Sequence, residues 1–371
     1  MIASERQAAP IDERHMRHAL GLAARGLGCV APNPAVGCVV VSSQGIVVGC
    51  GATGKGGRPH AETIALAQAS ESARGATVYV TLEPCAHHGE TPPCADALIA
   101  QGVGRVVAAV EDPDPRVSGR GFERLRAAGV EVTTGVLASE AAELNAGFFL
   151  CVREQRPLVT LKLAASLDGR TTDASGDSRW VTGDEARRYG HFLRARHDAI
   201  LIGVETALAD DPLLTCRIAG LETRSPVRVV LDTRLRLAES SRLVRGACEF
   251  STWVFTTSEG GGALRARGVD VVQVSKDARG RPDIGAVLGK LAARGITRLL
   301  VEGGATMHAS FLDRGYADRI ELFGAPLALG AAGHAAIDAL AALGLDEAPR
   351  FVRTGTRRLG PDLLESFAAR A

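Results

Sequence analysis

His60-Ala61-Glu62 opens a stretch that closes with Pro84-Cys85-Ala86-His87-His88-Gly89-Glu90-Thr91-Pro92-Pro93-Cys94. One imidazole, a carboxylate two residues on and two thiols are the parts of a zinc site. Three strong ligands, His60, Cys85 and Cys94, leave one coordination position open, as a catalytic ion requires. The interval between them reads as a helix from Pro59 through Ile64, Leu66 and Ala67, then a strand from Ala76 to Leu82, with Pro93 opening a second helix, Cys94 to Gln101. Helix N-termini offer unpaired N–H groups and the positive end of the dipole, which favour the thiolate form of a cysteine. Zinc held by two thiolates and an imidazole brings the pKa of a bound water to roughly 7. Glu62, too near His60 to be a second ligand, is left to take that water's proton and hand it to a leaving amine. That is hydrolytic deamination, and H-x-E followed by a P-C pair is the signature of zinc-dependent base deaminases.

Blander readings compete. The cluster could be a metal-free core, or a closed structural zinc with His87 or His88 as fourth ligand. Structural zinc favours two short Cys spacings, however, and would leave Glu62 without a role. His87 and His88 read equally well as substrate contacts or as solvent-facing loop residues. The other six cysteines, Cys29, Cys38, Cys50, Cys151, Cys216 and Cys248, are irregularly spaced and read as small core residues. Gly49-Cys50-Gly51-Ala52-Thr53-Gly54 fits G-x-G-x-x-G, and Gly49 to Lys55 fits most of a phosphate loop. Gly56 stands where Ser or Thr should be and no helix follows directly, so this segment reads as a loop bordering the zinc site.

Outward from the stretch, Met16, Ala19, Leu20 and Ala23 give Ile11 to Gly26 helical spacing, and Ala35 to Val41 and Ile46 to Gly51 form a hairpin around Ser42-Ser43-Gln44-Gly45. Strand Arg105 to Val110, helix Gly119 to Ala128, strand Val130 to Thr134 and helix Ser139 to Val152 complete a sheet with helices on both faces. Arg153-Glu154-Gln155-Arg156-Pro157 is charged and aperiodic, a linker. A second alternation follows, with strands at Leu158 to Ala164, Ala199 to Gly203, Val227 to Asp232, Trp253 to Thr256, Val269 to Val274, Arg298 to Val301 and Arg319 to Phe323. Helices at Gly183 to Arg196, Ile284 to Arg294 and Ala305 to Arg314 separate them, which predicts a second sheet of parallel strands. The fold class is α/β throughout.

A chain of 371 residues with 46% apolar content suffices for two ordinary domains. With 43 basic and 42 acidic residues it carries no footprint for nucleic acid or an anionic membrane, so small molecules are the expected partners. Met1 to Pro10 lacks the apolar core of a signal peptide and no run is long enough to span a bilayer. A cytoplasmic protein is expected.

Asn33-Pro34-Ala35-Val36-Gly37, His60-Ala61-Glu62 and Thr81 to Cys94 resemble the deaminase half of the bifunctional riboflavin-biosynthesis deaminase/reductase family. In that family a nine-residue step from Cys85 to Cys94 replaces the three of most cytidine and tRNA deaminases. Lys162 to Arg170, Ser178 to Thr182 and Ala209 to Thr215 resemble its reductase half, and the similarity runs from about Asp12 to the end. The resemblance implies two three-layer α/β/α domains, a cytidine-deaminase-like one over residues 1–152 and a dihydrofolate-reductase-like one over 158–371, joined by 153–157. It implies deamination of a diaminopyrimidinone ribosylamino phosphate, then reduction of its ribosyl group to ribityl, in a homo-oligomer using one Zn²⁺ per chain and NADPH. By the same carry-over Ala165, Trp180, Thr206, Asp210, Thr233 and Gly304-Ala305-Thr306-Met307-His308-Ala309-Ser310 match NADPH positions. Asn33, Ser178, Arg194, Leu214, Arg217 and Glu302 match substrate positions.

Read from residues alone, this half says less. A strand running into Glu302-Gly303-Gly304 and then a helix can hold a phosphate on backbone N–H groups, though Gly-Gly there is also ordinary strand-exit chemistry. Arg194 and Arg217 are forked donors suited to a sugar phosphate, or plain surface arginines. Trp180 could be core or a ring under a cofactor. Two departures stand out: Asp318-Arg319 where the family has Asp-Glu, and a carboxylate at Glu205 beside the expected cofactor pocket. A nucleic-acid deaminase, or a zinc-stabilised scaffold with an inactive reductase half, are the alternatives; the balanced charge and lack of a basic aromatic patch oppose the first.

Overall fold

Valine-rich alternation builds the first sheet. Its strands are β1 (Gly37–Val41), β2 (Val47–Ala52), β3 (Thr77–Val80), β4 (Arg105–Ala108) and β5 (Glu131–Thr134), in the order β2-β1-β3-β4-β5. The β1–β2 and β1–β3 pairs are antiparallel and the remaining two parallel. Successive side chains leave opposite faces of a strand. Cys38, Val40, Val78, Val80, Val106 and Ala108 therefore meet helices Ala61–Ala69, Cys94–Ala100 and Arg120–Ala127, while Val39, Val41, Tyr79 and Val107 meet Pro10–Ala24 and Ala138–Leu144. This computed structural model describes residues 10–87, 92–175, 181–341 and 344–370. Within it the chain divides into two compact units, Met1–Glu154 and Gln155–Ala371.

The glycines of the apparent phosphate loop have a packing role. A Cβ on Gly49 would sit 2.2 Å from the Ala65 carbonyl oxygen, and one on Gly51 would sit 2.0 Å from that of Ala61. Both lie in β2, not in a loop, and only glycine lets helix Ala61–Ala69 settle that close. The predicted helix Ser139 to Val152 is two helices, Ala138–Leu144 and Ala146–Glu154. They meet at Asn145, buried, whose side chain accepts from Ala35 N at 2.9 Å and donates to Ala35 O at 3.0 Å.

The second unit carries β6 (Leu158–Ala165), β7 (Ala199–Gly203), β8 (Val227–Leu231), β9 (Thr252–Thr256), β10 (Asp270–Gln273), β11 (Arg298–Val301), β12 (Arg319–Gly324), β13 (Phe351–Leu359) and β14 (Asp362–Ala369). Their order is β10-β9-β8-β7-β11-β6-β12-β14-β13. Odd-numbered core residues such as Val159, Leu161, Val229 and Leu299 pack on helices Ile284–Ala293 and Ala305–Asp313; Ile200, Ile202, Val230 and Leu300 pack on Asp184–Ala195 and Val204–Asp210. The expectation of parallel strands needs correcting at one edge. β14 pairs antiparallel with both β12 and β13. That hairpin escaped sequence reading because Val352 to Arg358 is exposed throughout, so no apolar alternation marks it.

Candidate active sites

The first site is assembled from three element ends. His60 is the N-cap of helix Ala61–Ala69, its carbonyl accepting from Ile64 N, so Pro59 lies just before the cap instead of in the first turn. Cys94 opens helix Cys94–Ala100, and its N–H donates to Cys85 Sγ at 3.3 Å; Cys85 follows the exit of β3. His60 Nδ1 lies 3.2 Å from Cys94 Sγ and 3.6 Å from Cys85 Sγ, and all three ligand atoms fall within 4.8 Å of one another. A tetrahedral zinc with Zn–S near 2.3 Å and Zn–N near 2.1 Å sets N···S separations of roughly 3.6 Å, so this donor set fits the ion. His87 stands outside the group, on the wall of the adjoining cavity, and His88 lies outside the described residues.

Electrostatics support the same use. The hydrogen bond with Cys94 draws the Cys85 thiol down to about 4 despite burial, while that bond and burial push Cys94 up. The Cys85 bond also raises His60. Sulfurs and imidazole competing for protons at this range form a donor set that a dication satisfies by taking both sulfurs as thiolates. Glu62, 4% exposed in the first helical turn, is pushed up to about 7 by burial and by the Cys85 charge. It faces a cavity of about 110 Å³ shared with Asn33, Arg58, Asp112, Arg116 and Phe148. Asn33 Nδ2 donates to Gly56 O at 3.3 Å. Burial raises Asp112 to about 6.

In the second unit Thr206, Asp210, Gly304, Ala305 and His308 border a cavity of about 1040 Å³ together with Arg194, Arg217 and Glu302. Glu302 follows β11 and takes both Nε and Nη2 of Arg194 at 2.8 Å, with Lys162 Nζ 3.9 Å away. Burial would raise its pKa, but the Arg194 and Lys162 charges hold it at about 2. The third Arg194 nitrogen donates to Thr215 O at 3.1 Å, so its fork is committed within the fold, whereas Arg217 is the exposed cation on that wall. His308 donates from Nδ1 to Ala336 O at 3.0 Å and leaves Nε2 buried without a hydrogen-bond partner among the described residues. The Gly303-Gly304 entry to helix Ala305–Asp313, with Gly304 at its N-cap, suits a polar ligand laid over the strand ends.

Other predicted contacts lie elsewhere. Ala165 and Leu214 are buried, and Met307 packs against Gly303. Thr306, Ala309 and Ser310 line a separate depression of about 230 Å³. Thr233 borders an adjoining cavity of about 870 Å³ with Arg234, Arg236, Lys276, Arg279 and Arg281; Glu205 lies on both linings and pairs with Arg236. Ser178 and Trp180 lie outside the described residues.

Residues 10–110 match the family model described as the cytidine and deoxycytidylate deaminase zinc-binding region, and residues 157–364 match the RibD C-terminal domain. The riboflavin biosynthesis protein RibD of Aquifex aeolicus is 43% identical over 96% of this chain and 98% of its own length, and that of Escherichia coli 42% over 95% and 98%. Among solved structures, Acinetobacter baumannii RibD superposes with a TM-score of 0.88 at 37% identity, covering 97% of this chain and 99% of that one. The Thermotoga maritima deaminase/reductase gives 0.87 at 36%, over the same shares. The chain belongs to the RibD family. It is thus a bifunctional enzyme of riboflavin biosynthesis, with a zinc-binding deaminase domain and a reductase domain.

RibD membership gives weight to groups that sequence reading passed over. Lys162 is the one charge in the apolar strand Leu158–Ala165, a visible signal. His191, drawn down to about 4 by burial and by the Arg194 charge, lies one turn before Arg194 on the same helix face. Asp112 and Glu83 had no such mark, one in a turn and the other beside a ligand.

Proposed function

We propose that residues 1–152 hydrolytically deaminate 2,5-diamino-6-(5-phosphoribosylamino)pyrimidin-4(3H)-one. Residues 158–371 then use NADPH to reduce the ribosyl group of 5-amino-6-(5-phosphoribosylamino)uracil to ribityl. The observation that carries this is the joint presence of the His60/Cys85/Cys94 donor set beside buried Glu62 and the strand-end cavity around Glu302. The Thermotoga relative is named for the same pair of activities.

His60, Cys85 and Cys94 would hold one zinc per chain, which supplies Lewis acidity and activates water at neutral pH. Glu62, with its pKa raised to about 7, can accept the proton released by that water and return it to the exocyclic nitrogen. Water adds its oxygen to the ring carbon, the carbon–nitrogen bond breaks, and ammonia leaves. The small cavity suits a single pyrimidine ring.

NADPH would supply the hydride in the second unit. Lys162 and the Arg194–Glu302 pair present fixed charges to the reacting sugar, and Arg217 is the cation left to meet its phosphate. NADPH is favoured over NADH by the basic cavity next door. Strands lie about 4.8 Å apart, so Glu302 at the end of β11 is roughly 12 Å from the gap between β8 and β9, a span suited to an extended dinucleotide. There Arg234 and Lys276 can meet a 2′-phosphate. The enzyme would act on small molecules in the cytoplasm; no helix among the described residues is long and apolar enough to cross a membrane.

A coupled assay tests the scheme. NADPH oxidation on the diamino substrate should require deamination, so Glu62→Ala should abolish it while still oxidising NADPH with pre-deaminated substrate. Wild-type oxidation rates by Glu62→Ala on undeaminated substrate would overturn it.

A further inference from the structure

A buried carboxylate in the first unit, neither a zinc-ligand candidate nor Glu62, accepts four main-chain hydrogen bonds. Glu83 leaves β3 two residues before Cys85 and is 3% exposed. Its Oε1 accepts from Gly121 N at 2.8 Å and Phe122 N at 3.3 Å; Oε2 accepts from Gly119 N at 3.0 Å and Asp112 N at 3.3 Å. An ionised carboxylate has about four acceptor positions, so this one is saturated by main-chain donors. Such charge-assisted bonds are roughly twice as strong as neutral ones. Gly119, Gly121 and Phe122 supply N–H groups at the start of helix Arg120–Ala127, where a negative charge is favoured.

One oxygen, Oε2, therefore grips both ends of one loop, while Oε1 holds the start of the helix that follows it. Asp112 begins it and Gly119 ends it, and between them Asp112, Asp114, Arg116 and Val117 line the deaminase cavity. Among the described residues, none of these four hydrogen bonds comes from His60 or Cys94. Gly121 fits the grip closely: a Cβ there would lie 2.1 Å from Pro84 O and 3.0 Å from Glu83 Oε1.

We infer that Glu83 is a positioning residue of the deaminase, clamping the 112–119 loop so that Asp112 and Arg116 face the bound pyrimidine. The inference rests on the deaminase reading of the first unit. It separates two jobs within Thr81-Leu82-Glu83-Pro84-Cys85, where Cys85 belongs to the metal and Glu83 to the substrate wall.

Glu83→Gln in the full chain presents an NH₂ group to two of the four N–H donors, either both loop ends or the helix start, and so releases half of the clamp. KM for the diaminopyrimidinone should rise at least fivefold with kcat within twofold, zinc at one per chain and reductase activity unchanged. Amide hydrogen exchange at Asp112, Gly119, Gly121 and Phe122 should accelerate in the same protein. A folded, zinc-loaded Glu83→Gln enzyme with unchanged KM overturns the inference, and so does loss of zinc, which would make Glu83 a support for the ligands. Should Glu83→Gln not fold, Gly121→Ala pries the helix from the carboxylate without removing it; the same rise in KM supports the clamp and an unchanged KM overturns it. A wild-type chain that binds zinc yet does not deaminate refutes the underlying reading instead.

Discussion

Three ligand atoms within 4.8 Å and a cavity of about 110 Å³ define the first site, whereas the second spreads over about 1040 Å³ at the carboxyl ends of several parallel strands. The first, as proposed, would work with side chains whose types metal binding and proton transfer dictate. The second relies on backbone exits, committed ion pairs and scattered cations. A small site of irreplaceable groups should fail abruptly when one is changed, and a large distributed one should lose affinity by degrees.

The sharpest way to break that contrast is Glu62→Gln. Removing a general acid–base of this kind should lower deaminase kcat about 10³-fold, with reductase turnover on pre-deaminated substrate unchanged; stopped assays of each half check it. A loss below tenfold would place the proton transfer elsewhere.

Glu302→Gln probes whether any member of the distributed site is irreplaceable. It leaves Arg194 buried without its anion, and the second unit should lose about 3 kcal/mol of stability, read by denaturant titration. The sign of the pH effect follows. Glu302 titrates lower in the fold than its ordinary 4.5, so its stabilisation is present above that value and lost as pH falls toward about 2. Wild type should therefore weaken across that window more steeply than Glu302→Gln.

Arg234→Ala with Lys276→Ala tests gradual loss. NADPH affinity should fall roughly tenfold, by about 1.4 kcal/mol, while NADH affinity stays put; fluorescence titration with both nucleotides decides it. Equal weakening of the two would remove the 2′-phosphate from the basic cavity. In the first unit's frame, Gly51→Ala overpacks β2 against Ala61 and should cost about 1–3 kcal/mol in thermal unfolding without altering the reductase.

The same contrast explains what could be read from residues. His60, Glu62, Cys85 and Cys94 stood out because metal chemistry demands those types, and the helix and strand ends presenting them follow from prolines and valine runs. The second cavity offered little by comparison. Gly303-Gly304 is common at strand exits, Arg194 looks like any surface arginine until Glu302 is placed against it, and His308 shows its orphaned nitrogen only in three dimensions. Glu83 was illegible for a related reason: its partners are main-chain N–H groups, which leave no trace in composition. Gly49 and Gly51 misdirected the reading because glycine serves phosphate binding and close packing alike.

Asn145 sets a practical limit on dissection of this enzyme. Its amide treats Ala35 as a neighbouring strand would, and Phe148, one helical turn onward, reaches the pyrimidine cavity. A deaminase fragment cut after Leu144 would keep all three proposed zinc ligands and Glu62 yet lose the fastening of the Asn33–Val36 segment and part of the proposed substrate wall. Such a fragment should retain metal while binding substrate poorly, so a separable deaminase has to extend through Glu154.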